Sequence, residues 1–321
     1  MRNQLSINRL AWKLLGELCE KQDFYRVNVE KTSLGTIIID AGIEAEGGFQ
    51  AGKIIAEICM GGCGKAELSH EGYGGITLPS ISVYTDHPVI ATLASQFAGW
   101  QIKDGDFFAI GSGPARALAL KPRDMYERIG YKDYFEKAVI VLETEKPPPE
   151  KSIRLIAEEC GVSPENLAVI LTPTTSVAGA TQISARVIET GIHKLNTLGL
   201  EPNTILHACG CAPIPPVHPE FKRAMARTND AILYGGKAYY AVAYEDEEKL
   251  RKIVENAPSK ASKDYGKPFI EIFKEANYDF YKIDPNLFAP AVVTINNVKT
   301  GNVFRAGEVN TETLRLSLIH I

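Results

Sequence analysis

AVIVLETEKPPP, residues 138–149, is the stretch on which the organisation of the chain turns. Ala138 to Glu143 is a near-continuous apolar run and reads as a buried strand. The Lys-Pro-Pro-Pro run that follows holds the chain extended and reads as a linker. That reading divides the 321 residues into a first α+β domain at 1–145 and a second at 150–321, with the C-terminal segment expected to pack back on the first. Upstream, Ile7, Leu10, Ala11, Leu14, Leu15 and Leu18 mark an amphipathic helix, Thr32 to Asp40 a strand turning at Ala41-Gly42, and Gly52 to Met60 a short helix. Ile76 to Tyr84 reads as a strand in which Pro79 argues for an edge or a bulge. Pro88 to Trp100 fits a helix, with Phe107 to Gly113 a strand and Ala115 to Leu120 a helix after it.

Downstream, the expected elements are a helix at Glu150–Cys160, a strand at Leu167–Thr172, a helix at Gln182–Leu198 and a strand at Thr204–Cys209. Helices at Phe221–Thr228, Glu247–Glu255 and Pro268–Ala276, a strand at Ala238–Tyr244, and a hairpin of Ala291–Asn296 and Asn302–Ala306 complete the chain. Short strands mixed with short helices, without a regular βαβ rhythm, argue for α+β layers over a Rossmann fold.

The apolar fraction of 45% with 23% charged residues belongs to a globular protein with a substantial core. A formal charge of −4 and the absence of a basic stripe argue against nucleic acid as a partner. No segment reaches eighteen apolar residues, so no membrane span is expected and cytoplasmic residence is the default. Cys19, Cys59, Cys63, Cys160, Cys209 and Cys211 lack the CxxC spacing of a zinc site and read as reduced thiols, mostly small buried hydrophobes.

The helix expected at Gln182–Leu198 carries the most suggestive polar face. At about 100° per residue, Ile183, Val187, Ile188, Gly191, Ile192, Leu195 and Leu198 share one half-turn, while Gln182, Arg186, Glu189 and His193 share a narrow arc of the other. A guanidinium and a carboxylate three residues apart can touch each other and still point into a cleft, although ordinary surface ion pairs have the same spacing. Gly111-Ser112-Gly113-Pro114-Ala115-Arg116 offers glycines, a hydroxyl and a guanidinium at a helix start, suited to an anionic group or to tight packing. Tyr278, Phe280, Tyr281 and Phe288 either line a slot for a flat heterocycle or fold back to close the core. Asp86 in Asp86-His87-Pro88 suits an N-cap. Gly-x-Ser-x-Gly is missing.

Long blocks of the chain resemble the methenyltetrahydromethanopterin cyclohydrolases. They include Thr85-Asp86-His87-Pro88, Ala98–Lys103, Gly111–Pro122, Gln182-Ile183-Ser184 with the Arg186/Glu189 pair, Asp264–Phe269 and Ala276–Pro290. The resemblance implies two mixed α/β-type domains with a deep cleft between them, a homo-oligomer with a trimer favoured, and no metal or prosthetic group. It implies a tetrahydromethanopterin derivative as substrate, with the N5,N10-methenyl and N5-formyl forms interconverted by addition and loss of water. Glu189 and Arg186 fall on the family's catalytic positions. Phe97, Gly111, Ser112, Arg116, Gln182, Tyr281 and Phe288 are the expected substrate-binding residues. One departure stands out: this chain has Ser95-Gln96-Phe97-Ala98-Gly99-Trp100 where the family often has a lysine at the third position, which removes a charge and offers a ring to stack on the heterocycle. A formyl transferase or deformylase acting on a related pterin, and a non-catalytic pterin-binding protein, are the alternative readings.

Overall fold

The computed structural model describes residues 5–319. In chain order its elements begin with α1 (Ile7–Glu20), α2 (Gln22–Tyr25), β1 (Asn28–Lys31), β2 (Ile37–Asp40), α3 (Phe49–Cys59), β3 (Gly64–Tyr73) and β4 (Ile76–Thr85). A π-helical turn, Ile90–Gln96, leads to β5 (Trp100–Asp104), β6 (Phe107–Ser112), α4 (Ala115–Ala119), α5 (Arg123–Ile129), β7 (Ala138–Glu143), α6 (Glu150–Cys160), β8 (Leu167–Leu171) and α7 (Val177–Ser184). The remainder is α8 (Val187–Thr197), β9 (Ile205–Pro213), α9 (Phe221–Gly235), β10 (Lys237–Val242), α10 (Glu247–Glu255), α11 (Phe269–Glu275), β11 (Val292–Asn297), β12 (Val303–Gly307) and α12 (Thr311–Leu318).

Two mixed six-stranded sheets result, ordered β1-β2-β8-β7-β6-β5 and β12-β11-β10-β9-β4-β3. The chain forms two compact units, one from residues up to 65 together with 90–182, the other from 66–89 together with 183 onward. The proline run is therefore no domain linker, and the expected division at 145/150 is corrected. β7 and β8, on either side of it, pair in parallel within one sheet, so residues 144–149 are the first leg of a strand-to-helix crossover.

In the first unit, β7 up to its last residue, Glu143, and the whole of β8 are apolar because their sheet is covered on both faces. Val139, Val141, Ala168 and Ile170 meet Ala11, Leu15, Ile55 and Ile58 of α1 and α3. Ala138, Ile140, Leu142, Leu167 and Val169 meet Ala115, Ile153, Ile156 and Ala157 of α4 and α6. Ser6 caps α1 by accepting from the Arg9 N–H at 3.3 Å. The turn expected after β2 is held by Asp40, whose carboxylate accepts from the N–H groups of Gly42, Ile43, Glu44 and Ala45 at 2.7–2.9 Å. Partial burial of Asp40 works against ionisation, yet those four bonds hold its carboxyl below the usual range.

The helix expected at Pro88–Trp100 is instead the π-turn. Its backbone closes with Phe97 N–H donating to Thr92 O at 2.9 Å, and its later carbonyls are taken by side chains. Arg116 donates to Leu93 O and Ser95 O, and the Tyr126 hydroxyl donates to Ala94 O at 2.6 Å. Pro79, expected at an edge or bulge, lies in β4, which is interior to its sheet; the ladder to β9 starts one residue later, at Ser80.

In the second unit, α9, α11 and α12 share a core of Met225, Leu233, Tyr234, Phe269, Ile272, Phe273, Leu314 and Leu318. Fully buried Asp230 of α9 ties the three helices together, accepting from Phe269 N–H at 2.8 Å and from the Ser317 hydroxyl at 2.5 Å. Burial pushes its pKa up to about 7, against the pull of those two bonds. An acid whose folded pKa lies above its unfolded value of about 3.9 binds more protons folded than unfolded between those limits, so it lowers stability as pH rises through that window. Asp230→Asn removes this dependence. The melting temperature of the variant relative to wild type is expected to rise between pH 4 and pH 8, and a difference that stays flat across that range overturns the assignment.

Candidate active site

The expected helix Gln182–Leu198 is broken in two, although no glycine or proline stands at the break. α7 ends at Ser184, whose hydroxyl donates to Pro213 O at 2.9 Å instead of continuing the helix. α8 starts at Val187 with Arg186 as its N-cap residue, at φ −81° and ψ 3°. Val187 and Ile188 reach β9 only because Gly210 stands opposite: a Cβ there would lie 2.8 Å from Ile188 Cγ2 and 3.0 Å from Val187 Cγ1. Gln182, 1% exposed, lies within α7 as the last residue of the first unit, while Arg186 and Glu189 open α8 in the second.

Glu189 sits in the first turn of α8 and is 7% exposed. The N–H groups of that turn carry the positive end of the helix dipole, which favours a negative charge there. Behind it lies Tyr240 of β10, whose hydroxyl donates to Ile188 O at 3.0 Å. Burial, reinforced by the Glu189 charge, keeps the Tyr240 phenol protonated far above its ordinary range. Gly191 makes room for it, since a Cβ at that position would lie 1.9 Å from the Tyr240 oxygen. His193, the fourth residue of the expected polar arc, is exposed.

The Gly111–Arg116 turn serves mainly to brace the first unit. Arg116 is fully buried, donating to Leu93 O and Ser95 O at 3.2 Å and, through Nε, to Lys121 O at 2.8 Å. Its guanidinium lies 5.3 Å from the Phe97 ring centroid and 5.6 Å from that of Tyr126. The Phe97 ring therefore packs beside a buried cation. Gly111 is set by the sheet: a Cβ would lie 3.0 Å from Ile140 Cδ1 and 3.2 Å from Trp100 O. Ser112, 3% exposed, has its hydroxyl 3.5 Å from Val141 O and 3.8 Å from Cys59 Sγ.

In the aromatic segment at 278–290, Phe288 packs against the core of the second unit, while Tyr278 and Phe280 stay 45% and 43% exposed. Phe280 lies 4.7 Å from Phe273 and 6.2 Å from Phe288, and Phe288 lies 5.9 Å from Phe269. Tyr281 is 92% exposed and lines none of this cluster. Asp86 pairs with His207 Nδ1 at 2.7 Å across the second sheet. All six cysteines are free thiols, but only Cys59 and Cys160 are buried, fewer than expected.

Sequence reading missed Tyr240 and Lys194. Tyr240 lies within an apolar strand and carries no signal of its own. Lys194 does: Val187, Gly191, Lys194 and Leu198 fall at i, i+4, i+7 and i+11, so a lysine stands in the apolar stripe of α8. Among the described residues, no three His, Cys, Asp or Glu side chains gather to hold a metal ion, and no helix is long and apolar enough to cross a membrane.

A mixed α/β chain with a buried carboxylate in the first turn of one helix and an arginine at its cap has groups able to orient a water and take its proton. The family model described as Cyclohydrolase (MCH) matches residues 6–318. The methenyltetrahydromethanopterin cyclohydrolase of Methanothermobacter marburgensis is 48% identical over 316 residues, covering 98% of this chain and 99% of its own. Those of Methanocaldococcus jannaschii (45% identical, 98% of both chains) and Methylobacillus flagellatus (46% identical, 96% of this chain and 94% of its own) are similar over nearly the whole of both chains. The chain belongs to the methenyltetrahydromethanopterin cyclohydrolase family.

Proposed function

We propose that this enzyme reversibly hydrolyses the N5,N10-methenyl group of methenyl-tetrahydromethanopterin to the N5-formyl compound. The observation that carries the reading is Glu189, a carboxylate 7% exposed in the first turn of α8, in a chain of this family. The substrate's methenyl carbon is an amidinium-like cation between N5 and N10. Glu189 orients a water against that carbon and accepts one of its protons as the C–O bond forms, giving a neutral carbinol. It then returns that proton to N10 as the C–N10 bond breaks; the carbinol hydroxyl releases its proton to solvent and becomes the formyl oxygen. Arg186 holds the carboxylate in its ionised form and in orientation.

In this reading Gln182, Ser112 and Gly111 belong to the pterin's surroundings, with Phe97 and Phe288 as ring surfaces. Arg116 acts at one remove, since its bonds to the carbonyls of Leu93 and Ser95 hold the π-turn that Phe97 follows. Tyr281, out in solvent, is the weakest of the expected contacts. The deep cleft implied by the resemblance is carried in this proposal, and a substrate complex tests it. So are cytoplasmic residence and assembly as a homo-oligomer, a trimer favoured. Self-association is supported by the second sheet's face opposite Gly210 and Tyr240. There Tyr84, Cys209 and Tyr239 stand in register, Tyr84 and Tyr239 are exposed, and an open pocket of about 380 Å³ runs on to Lys237 and Arg305.

The purified enzyme, treated with a chelator, is expected to bleach the methenyl absorbance of methenyl-tetrahydromethanopterin in buffer alone. Bleaching only when a second substrate is added assigns it to a formyl transferase instead. Tight binding with no bleaching makes it a pterin-binding protein.

A further inference from the structure

We infer that Lys194 is a positioning residue of this site: its buried ammonium pins the 284–290 segment to the helix that carries Glu189. The inference rests on the reading of Glu189 given above. Lys194 is 3% exposed, and its Nζ donates to Asn286 Oδ1 at 2.6 Å and to Asn286 O at 3.3 Å. Asn286 is itself held, donating from its backbone N–H and its Nδ2 to Asp284 Oδ1, both at 3.0 Å. The other oxygen of Asp284 accepts from the Ser262 hydroxyl at 2.8 Å and from Lys263 N–H at 3.2 Å. Partial burial of Asp284 is outweighed by these donors, which hold its carboxyl below the usual range. An unbroken run of polar contacts therefore leads from the middle of α8 through residues 284–286 to residues 262–263.

The same segment touches α8 a second time, where Pro290 Cγ lies 3.2 Å from the place a Cβ on Gly191 would occupy. Lys194 and Gly191 are one turn apart on one stripe of α8, and Glu189 lies on the adjoining turn. Between the two contacts lie Leu287 and Ala289, both fully buried, and Phe288, the ring this reading places beside the pterin.

Burying an ammonium is costly, and burial lowers the Lys194 pKa against the opposing charge of Asp284. An apolar chain of the same length would pack here at least as favourably, because replacing buried charges with well-packed apolar groups is often neutral or stabilising. What the ammonium adds is a fixed seat for Asn286, and with it a fixed distance between the Phe288 ring and the Glu189 carboxylate. Lys194 meets none of the reacting atoms; it sets the wall they react against.

Lys194→Met is expected to raise KM for methenyl-tetrahydromethanopterin about tenfold with kcat held within about threefold, the reverse of the split expected at Glu189. Asn286→Ala, at an exposed residue, is expected to give the same KM rise, and the double variant no more than either single one. Amide exchange of residues 286–289 is expected to quicken about tenfold in both variants while α9 stays protected. An unchanged KM in a folded variant, additive effects, or unchanged exchange at 286–289 overturns the inference. A wild-type protein that leaves the methenyl compound intact defeats the reading of Glu189, while the exchange measurement still decides whether Lys194 is the anchor.

Discussion

Glu189→Gln is expected to lower kcat for methenyl hydrolysis by at least about a hundredfold while the substrate still binds, the loss typical of a positioned proton acceptor. The amide keeps the shape of the carboxyl, so the packing around a side chain only 7% exposed is retained. It takes away the one thing the mechanism needs, a basic oxygen that can hold a proton between attack at the methenyl carbon and release of N10. It also takes a negative charge out of the first turn of α8, where the helix dipole favours one. Steady-state kinetics on the folded variant decide the matter, and turnover near the wild-type rate removes Glu189 from the mechanism.

Gly191→Ala is the second severe substitution, and it acts through the fold. The added methyl would stand 1.9 Å from the Tyr240 oxygen and 3.2 Å from Pro290 Cγ, so α8 must shift or the phenol must leave its bond to Ile188 O. Overpacking of this kind costs about 3 kcal/mol. Because Ile188 and Glu189 are consecutive, the strain also reaches the carboxylate, and activity is expected to fall further than stability accounts for. Tyr240→Phe removes the clashing oxygen, leaving the ring carbon at 3.0 Å as the nearest atom. The double variant is therefore expected to melt at a higher temperature than Gly191→Ala alone. A double variant as unstable as the sum of both single ones disproves the fit between this helix and this ring.

Much of the fold can be read from residue order. Helices α6 and α10 fall at the expected residues because charged and apolar positions alternate at helical spacing and Pro149, Gly161 and Pro258 bound them. The hairpin of β11 and β12 is equally plain from its Lys299-Thr300-Gly301 turn. The π-turn, by contrast, depends on carbonyls captured by Arg116 and Tyr126, which arrive from more than twenty residues further along the chain. The proline run at 147–149 looked like a linker because extended backbone outside a core looks the same in a crossover. At the site, Arg186 and Glu189 stand out by their spacing on one helix face, and Lys194 is written openly into an apolar stripe.

Local order was thus enough for the type of most elements, for the two catalytic candidates and for the family, since periodicity, capping and long motif blocks are properties of neighbours along the chain. The break between α7 and α8, the burial of Glu189 and the use of Arg116 as an internal brace came from contacts across the fold. Ser184 bonds to Pro213, Val187 and Ile188 lodge against Gly210, and Tyr240 enters the space left by Gly191. Each of those contacts joins residues far apart in order, and a helix turns or stops where such partners offer its groups more than its own next turn does.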